Sequence, residues 1–266
     1  YGIYRMRIRQ SIDNPDSQKI ICSTIKEKLI KAVDKRLMSD RPIGCLLSGG
    51  LDSTTCIALA NEQEFELYAL TVNYGQKHNF EIEASKHIAK EYNVEQHTII
   101  QIDLAQFGGS ALTDDKIKVP KKRNISDRLS IPVTYVPARN TILLSLAIAW
   151  AETLGAYNIF IGVNSLDYSG YPDCRPEYIS SFEKTANLAT KSGINGQKVK
   201  INTPLINLTK EEIIKIGLSL NVNYGLTSSC YDPLISGDPC GECDACYLRL
   251  KGFKSTSIED PLNYPK

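Results

Sequence analysis

Hydrophobic positions fall into two alternating periods along most of the chain. Ile21, Ile25, Leu29, Ala32, Val33 and Leu37 recur at steps of three and four, which predicts an amphipathic helix ending before Pro42. Ile43-Gly44-Cys45-Leu46-Leu47 predicts a short apolar strand, and a helix opens over Thr54 to Ala60. Further strands are predicted over Glu66–Asn73, Gln96–Ile102, Tyr157–Val163 and Lys198–Asn202. Helices are predicted over Phe80–Tyr92, Pro176–Thr190 and Lys210–Leu220, the last opened by a capping box from Thr209 to Glu212. Thr141–Leu154 is apolar on nearly every side, which predicts a helix buried all round. Short strands alternating with longer helices imply an α/β fold, a doubly wound parallel sheet with its ligand at the carboxyl ends of the strands.

Two segments break this rhythm. Phe107 to Val133 holds Gly108-Gly109, Asp114-Asp115 and a basic run of Lys116, Lys118, Lys121, Lys122 and Arg123 without a clear period; it reads as an insertion near a site and a candidate lid. The cysteine- and proline-rich tail from Tyr224 to Lys266 reads as a small unit of its own. The expected organisation is an N-terminal linker or tail over 1–20, a nucleotide-binding α/β domain over 21–223 and a metal-binding unit over 224–266. Composition narrows the function. With 31 basic and 30 acidic residues the net charge is +1, which argues against binding nucleic acid by bulk electrostatics. The 42% hydrophobic and 23% charged content is that of a soluble globular chain. The longest apolar stretch, Thr141 to Ala151, is too short to span a bilayer, and no hydrophobic run follows the charges near Tyr1, so a cytoplasmic protein without a membrane partner is expected. Tyr1 in place of an initiator Met suggests a processed chain or a fragment of a longer one.

Ser48-Gly49-Gly50-Leu51-Asp52-Ser53 lies in the first strand-to-helix turn. Glycines there let backbone N–H groups converge on an anion, the helix N-terminus adds partial positive charge, and Ser48 and Ser53 add hydroxyls. Asp52 is acidic for a phosphate cradle and suits Mg²⁺ held against the pyrophosphate of ATP. A capped turn is the plainer reading, since Asp and Ser are good N-caps. The whole hexapeptide resembles the signature of the PP-loop ATP pyrophosphatases, with no Gly-Lys-Ser/Thr ending of the Walker kind. That resemblance implies a HUP-type, adenine nucleotide alpha hydrolase-like fold, cleavage of ATP between the α and β phosphates, and adenylation of a substrate oxygen.

Later stretches resemble the 7-cyano-7-deazaguanine synthase family: Tyr74-Gly75-Gln76-Lys77-His78, Val136-Pro137-Ala138-Arg139-Asn140, the run from Ile161 to Glu177, Thr203 to Lys210, and the terminal cysteines. The run after the predicted strand offers Asn164, acceptors Asp167, Asp173 and Glu177, aromatic faces Tyr168 and Tyr171, and the fork donor Arg175. A guanine-like base shows a donor edge, a flat face and here an attached carboxylate that such groups can hold; a polar loop with internal pairing is the alternative. Tyr74 and Gln76 are read with them as substrate contacts, and His78 as a contact or a loop organiser. Arg139 begins a helix after a strand and suits a phosphate or adenylate, with helix capping as the alternative. Lys210 either reaches the leaving pyrophosphate or is an exposed first-turn lysine. His87 and His97 read as ordinary residues of a helix and a strand edge.

Cys230, Cys240, Cys243 and Cys246 offer four thiolates, the set taken by tetrahedral Zn²⁺ in a closed structural site. An iron–sulfur cluster also uses four cysteines, and a zinc-ribbon nucleic-acid module is a further alternative; the family resemblance implies zinc. Cys22, Cys45 and Cys56 sit among apolar neighbours and read as inert thiols. Ile25 to Ser53 also resembles the synthetase half of asparagine synthetases, which suggests a glutaminase domain or subunit as ammonia source. The expectation for the whole is a homodimeric ligase that converts 7-carboxy-7-deazaguanine, ammonia and ATP to the nitrile through acyl-adenylate and amide. A glutaminase-linked relative that forms an amide or amidine, with tRNA phosphates on the basic run, is the alternative, and an asparagine synthetase a more distant one.

Overall fold

A computed structural model describes residues 42–63, 65–122, 131–166 and 170–265. The helix predicted over 21–37 and the 1–20 tail lie outside the described residues. The elements run β1 (Pro42–Leu46), α1 (Leu51–Glu62), β2 (Glu66–Asn73), α2 (Phe80–Glu91), β3 (Gln96–Gln101), α3 (Arg139–Leu154), β4 (Asn158–Ile161), α4 (Pro176–Ala189), α5 (Lys191–Ile194), β5 (Lys200–Asn202), α6 (Lys210–Ser219) and α7 (Asp244–Thr256). The strands form one sheet in the order β3-β2-β1-β4-β5 with every pairing parallel. Successive strands run outward from β1 to β3, then return to the other side of β1 at β4. This change of direction opens a crevice at the carboxyl ends of β1 and β4.

Both faces of the sheet are covered, so the strands read as apolar runs rather than alternations. Ile43, Cys45 and Leu47 point into one layer with Ile57, Ile88, Ile213 and Ile214, while Leu46 points into the other with Leu144, Ile148 and Ile179. β4 alternates likewise, Phe160 into the first layer and Ile159 and Ile161 into the second. Burial raises the Cys45 thiol to about 12 and lifts that of Cys56 well above its ordinary value, which keeps both protonated; Cys22 lies outside the described residues.

The reading of Thr141–Leu154 as buried all round is corrected. Leu144, Ala147, Ile148 and Ala151 of α3 are buried, but Ser145, Ala149 and Thr153 are exposed. The helix covers one face of the sheet, and among the described residues no second layer packs behind it. The cysteine-bearing tail is a small lobe whose helix joins the main core. Phe253 of α7 is buried edge-on against Tyr224, with ring centroids 5.6 Å apart, in the layer that holds Ile213 and Ile214 of α6. Among the described residues no helix is long and apolar enough to cross a membrane.

The described parts of the 107–133 insertion are docked at both ends. Leu112 is buried, and its carbonyl accepts the Lys77 amide at 3.1 Å. Lys121 pairs with Asp232 at 2.9 Å and Lys122 with Glu242 at 2.8 Å, both acids of the cysteine lobe. Two cations of the basic run are thus neutralised within the chain, which weakens them as a tRNA phosphate track; Arg123 lies outside the described residues.

Candidate active site

The turn after β1 is shaped by a close approach. Gly49 has φ +85°, and a Cβ there would collide with the Glu81 carbonyl in the first turn of α2 and stand 2.8 Å from the Ser85 amide in the next. Gly49→Ala is therefore expected to cost about 2–4 kcal/mol of stability, from a left-handed alanine and a displaced helix turn, measured by urea unfolding. Across the crevice Gly162, just after β4, has its own would-be Cβ 2.8 Å from the Ser53 amide. Sheet and helix α1 thus close on each other at this point.

The donors of the turn are held by replaceable partners. The Gly50 amide donates to Ser48 Oγ at 3.3 Å, and the Leu51 amide to Ser229 Oγ at 3.1 Å. Ser48 and Ser53 hydroxyls lie 3.0 Å apart. A neutral hydroxyl is a weaker acceptor than a phosphate oxygen, so these amides can be transferred to an anion at the α1 N-terminus. The cysteine lobe is tied to the same turn: the Ser228 amide donates to the Gly49 carbonyl at 2.9 Å, next to the Ser229 bond.

The turn opens onto a cavity of about 210 Å³. Of the residues predicted to act on ATP, Ser48, Gly50, Leu51, Asp52, Ser53, Arg139 and Lys210 line it, while Gly49 is turned to α2. Lys210 Nζ donates to both Asp52 oxygens, at 2.6 and 2.8 Å. The capping box forms as predicted, and it seats Lys210 as the first residue of α6, buried rather than in solvent. Arg139 lies 5.6 Å over the Tyr74 ring, and Ala138 before it takes a left-handed φ of 54°. Asn140 donates its amide to Asp173 Oδ2 at 3.0 Å.

The predicted substrate residues divide. Tyr74, Gln76, Asn164 and Tyr171 are in the cavity wall. Gln76 accepts the Tyr74 amide at 2.9 Å, and Tyr171 hydroxyl meets Thr134 at 2.8 Å. Asn164 Nδ2 donates to the Leu205 and Leu208 carbonyls, which braces the approach to α6. Asp173, Arg175, Glu177 and His78 do not line the cavity. Asp173 is taken up in capping α3, and the start of α4 leaves Arg175 and Glu177 exposed. His78 is tilted against Phe80 at 6.0 Å. Asp167 and Tyr168 lie outside the described residues.

Among the described polar lining residues, four escape sequence reasoning: Glu81, Ser229, Tyr231 and Arg249. Glu81 is a first-turn acid, a type usually explained by the helix dipole. Ser229 is 178 positions from its partner Leu51. Arg249 is buried in the middle of α7, where Asp260 takes its Nε at 2.7 Å and Nη2 at 2.9 Å. Only its adjacency to the cysteine motif marked that region.

The four cysteines converge as predicted. Their sulfurs all lie within 4.8 Å of one another and are buried, with Cys230 and Cys243 at 3.9 Å. A tetrahedral Zn²⁺ with bonds of about 2.3 Å needs sulfur separations of about 3.8 Å. Amides of Cys240 and Cys243 point at the Cys230 and Cys240 sulfurs, at 3.2 and 3.3 Å, and stabilise thiolate charge. The donor set fits a structural metal.

Comparison with known proteins places this geometry. The chain is 60% identical over 220 residues to the 7-cyano-7-deazaguanine synthase of Pelobacter propionicus, covering 82% of this chain and 96% of that protein. It is 58% identical over 221 residues to the enzyme of the same name from Citrifermentans bemidjiense, covering 83% and 96%. A looser structural likeness, with TM-score 0.44 and 16% identity, is to the NMN synthetase of Francisella tularensis, covering 84% of this chain and 79% of that one. Residues 43–257 match the model of the queuosine biosynthesis protein QueC. The chain belongs to that family.

Proposed function

We propose that this protein is an ATP-dependent 7-cyano-7-deazaguanine synthase acting on 7-carboxy-7-deazaguanine and ammonia. One observation carries the reading: the anion-ready amides of the turn, the Asp52–Lys210 pair and the Arg139 guanidinium open onto a single cavity at the carboxyl ends of β1 and β4. The identity to proteins of that name supports it.

The residues divide the work by charge. Amides of Gly50 and Leu51, with the Ser48 and Ser53 hydroxyls, cradle the triphosphate, and Gly49 lets the turn approach it. Asp52 would hold Mg²⁺ on the phosphates, since each of its oxygens keeps a lone pair beyond its bond to Lys210. Lys210 faces the departing pyrophosphate, and Arg139 the adenylate. Tyr74, Tyr171, Gln76 and Asn164 wall the deazaguanine. The substrate carboxylate oxygen bonds to the α-phosphorus as the bond to the β-phosphate oxygen breaks. Ammonia then displaces AMP to give the amide. The amide oxygen is adenylated by a second ATP, and loss of AMP with the two nitrogen protons leaves the nitrile. Most of the rate comes from position and fixed charge rather than covalent help. The cysteine site would take Zn²⁺ as a structural ion, because four thiolates leave no open position.

Incubating the protein with 7-carboxy-7-deazaguanine, ATP, Mg²⁺ and ammonium is the test, read by mass spectrometry and AMP release. The nitrile with two AMP per product is expected. Amide as the sole product removes the second adenylation, and no AMP release at all removes the reading.

A further inference from the structure

Among the described residues two carboxylates line the cavity, and they differ in how they are held. Asp52 is gripped by Lys210. Glu81, the second residue of α2, has a fixed main chain, because its carbonyl packs on Gly49 beside the phosphate turn. Its side chain is half-buried in the cavity wall. Among the described residues no hydrogen bond and no ion pair within 4.0 Å holds its carboxylate. The groups that act on it electrostatically are the Arg139 guanidinium and the Tyr74 hydroxyl.

A carboxylate beside the phosphate turn has the wrong sign for the charged groups of the other ligands. It repels the triphosphate that the turn is built to hold, and it repels the carboxylate of the substrate. The cationic reactant of the reaction is ammonium, the protonated and unreactive form of the nitrogen donor. Resting on the synthase reading above, we propose that Glu81 binds ammonium and takes one of its protons, releasing ammonia beside the acyl-adenylate.

The step balances. One N–H proton passes to the Glu81 carboxylate, and the freed lone pair forms the C–N bond at the adenylate carbonyl carbon. The carbon–oxygen bond to the phosphate then breaks, and AMP leaves. A second nitrogen proton departs with the AMP phosphate or to water. Protonated Glu81 returns its proton to solvent before the next ammonium. Enclosure in the wall pushes the Glu81 carboxyl up to about 7, with the Arg139 guanidinium pulling the other way. A base of that strength is matched to proton transfer near neutrality.

Glu81→Gln tests the assignment with three readouts beside the wild type. Substrate-dependent ATP–pyrophosphate exchange reports adenylation and should stay within about threefold. Hydroxylamine, which is largely unprotonated at neutral pH, needs no base, so hydroxamate formation should also survive. Amide formation from ammonium should fall on the order of a hundredfold or more. Amide formation at the wild-type rate overturns the proposal, and so does loss of exchange and hydroxamate in a folded variant. If Glu81→Gln does not fold, Glu81→Asp decides: it must slow the ammonium reaction more than the hydroxylamine reaction, and equal slowing overturns the proposal. Absence of substrate-dependent exchange in the wild type is a failure of the synthase reading itself and is recognisable as such.

Discussion

Asp52→Asn is expected to lower substrate-dependent pyrophosphate release by on the order of a thousandfold. The carboxylate sits at the first turn of α1, in the cavity, where it would carry Mg²⁺ against the triphosphate. Asparagine keeps its size and one oxygen but loses the charge that would bind the ion and that holds Lys210. The stability cost should be about 2 kcal/mol, because buried Lys210 loses the anionic charge of Asp52 and keeps only a neutral oxygen at that position. That corresponds to a fall in Tm of roughly 4–8 °C. A double variant, Asp52→Asn with Lys210→Met, separates the two effects. It removes the buried ammonium together with the carboxylate and should regain stability in calorimetry while staying inactive. Release within about tenfold of the wild type in Asp52→Asn would show that the ion is held elsewhere.

Cys243→Ser is expected to lower Tm by about 10 °C or more and to weaken ATP binding. The first effect follows from a buried cluster of four sulfurs losing one of the four donors that a metal ion there would need. The second follows from the hydrogen bond just before Cys230, from the Ser228 amide to the Gly49 carbonyl, which props the turn while the Leu51 amide passes from Ser229 Oγ to a phosphate. Losing the order of that segment removes this bond, about 1 kcal/mol, or roughly fivefold in the Kd for ATP. Ser229→Ala, which only frees the Leu51 amide, should bind ATP at least as tightly as the wild type in calorimetric titration. A Cys243→Ser protein that binds ATP as the wild type does would show that lobe and turn are independent.

Periodicity alone locates most elements of the sheet domain to within a few residues. β2 forms over Glu66–Asn73 as predicted, and the Thr209–Glu212 capping box opens α6 where expected. These features depend on neighbours close in the chain. The cysteine quartet was legible for the same reason: spacing of two between sulfurs, and the chemistry of thiolates, restrict what the motif can do. The loop from Ser48 to Ser53 carries its anion-binding property in its own backbone.

What spacing leaves open has a different cause. Whether α3 is covered on one side or all round depends on what packs behind it, and an apolar helix reads alike in both cases. Asp173, Arg175 and Glu177 looked like ligand groups by type, but helix starts at Arg139 and Pro176 decide which of them face the cavity. Lys210 by its position is a surface lysine, and it becomes a buried partner of Asp52 only because α7 packs on α6 and the crevice closes over both. Glu81 and Ser229 join the site from segments with no motif of their own, through contacts with Gly49 and Leu51.

What the sequence determined by itself was the set of local conformations and the chemistry each motif can support, because those follow from neighbouring dihedrals, periodicity and donor type. What only the tertiary structure decided was which charges share one enclosed space. Burial and pairing arise when distant segments meet, and no spacing along the chain encodes them.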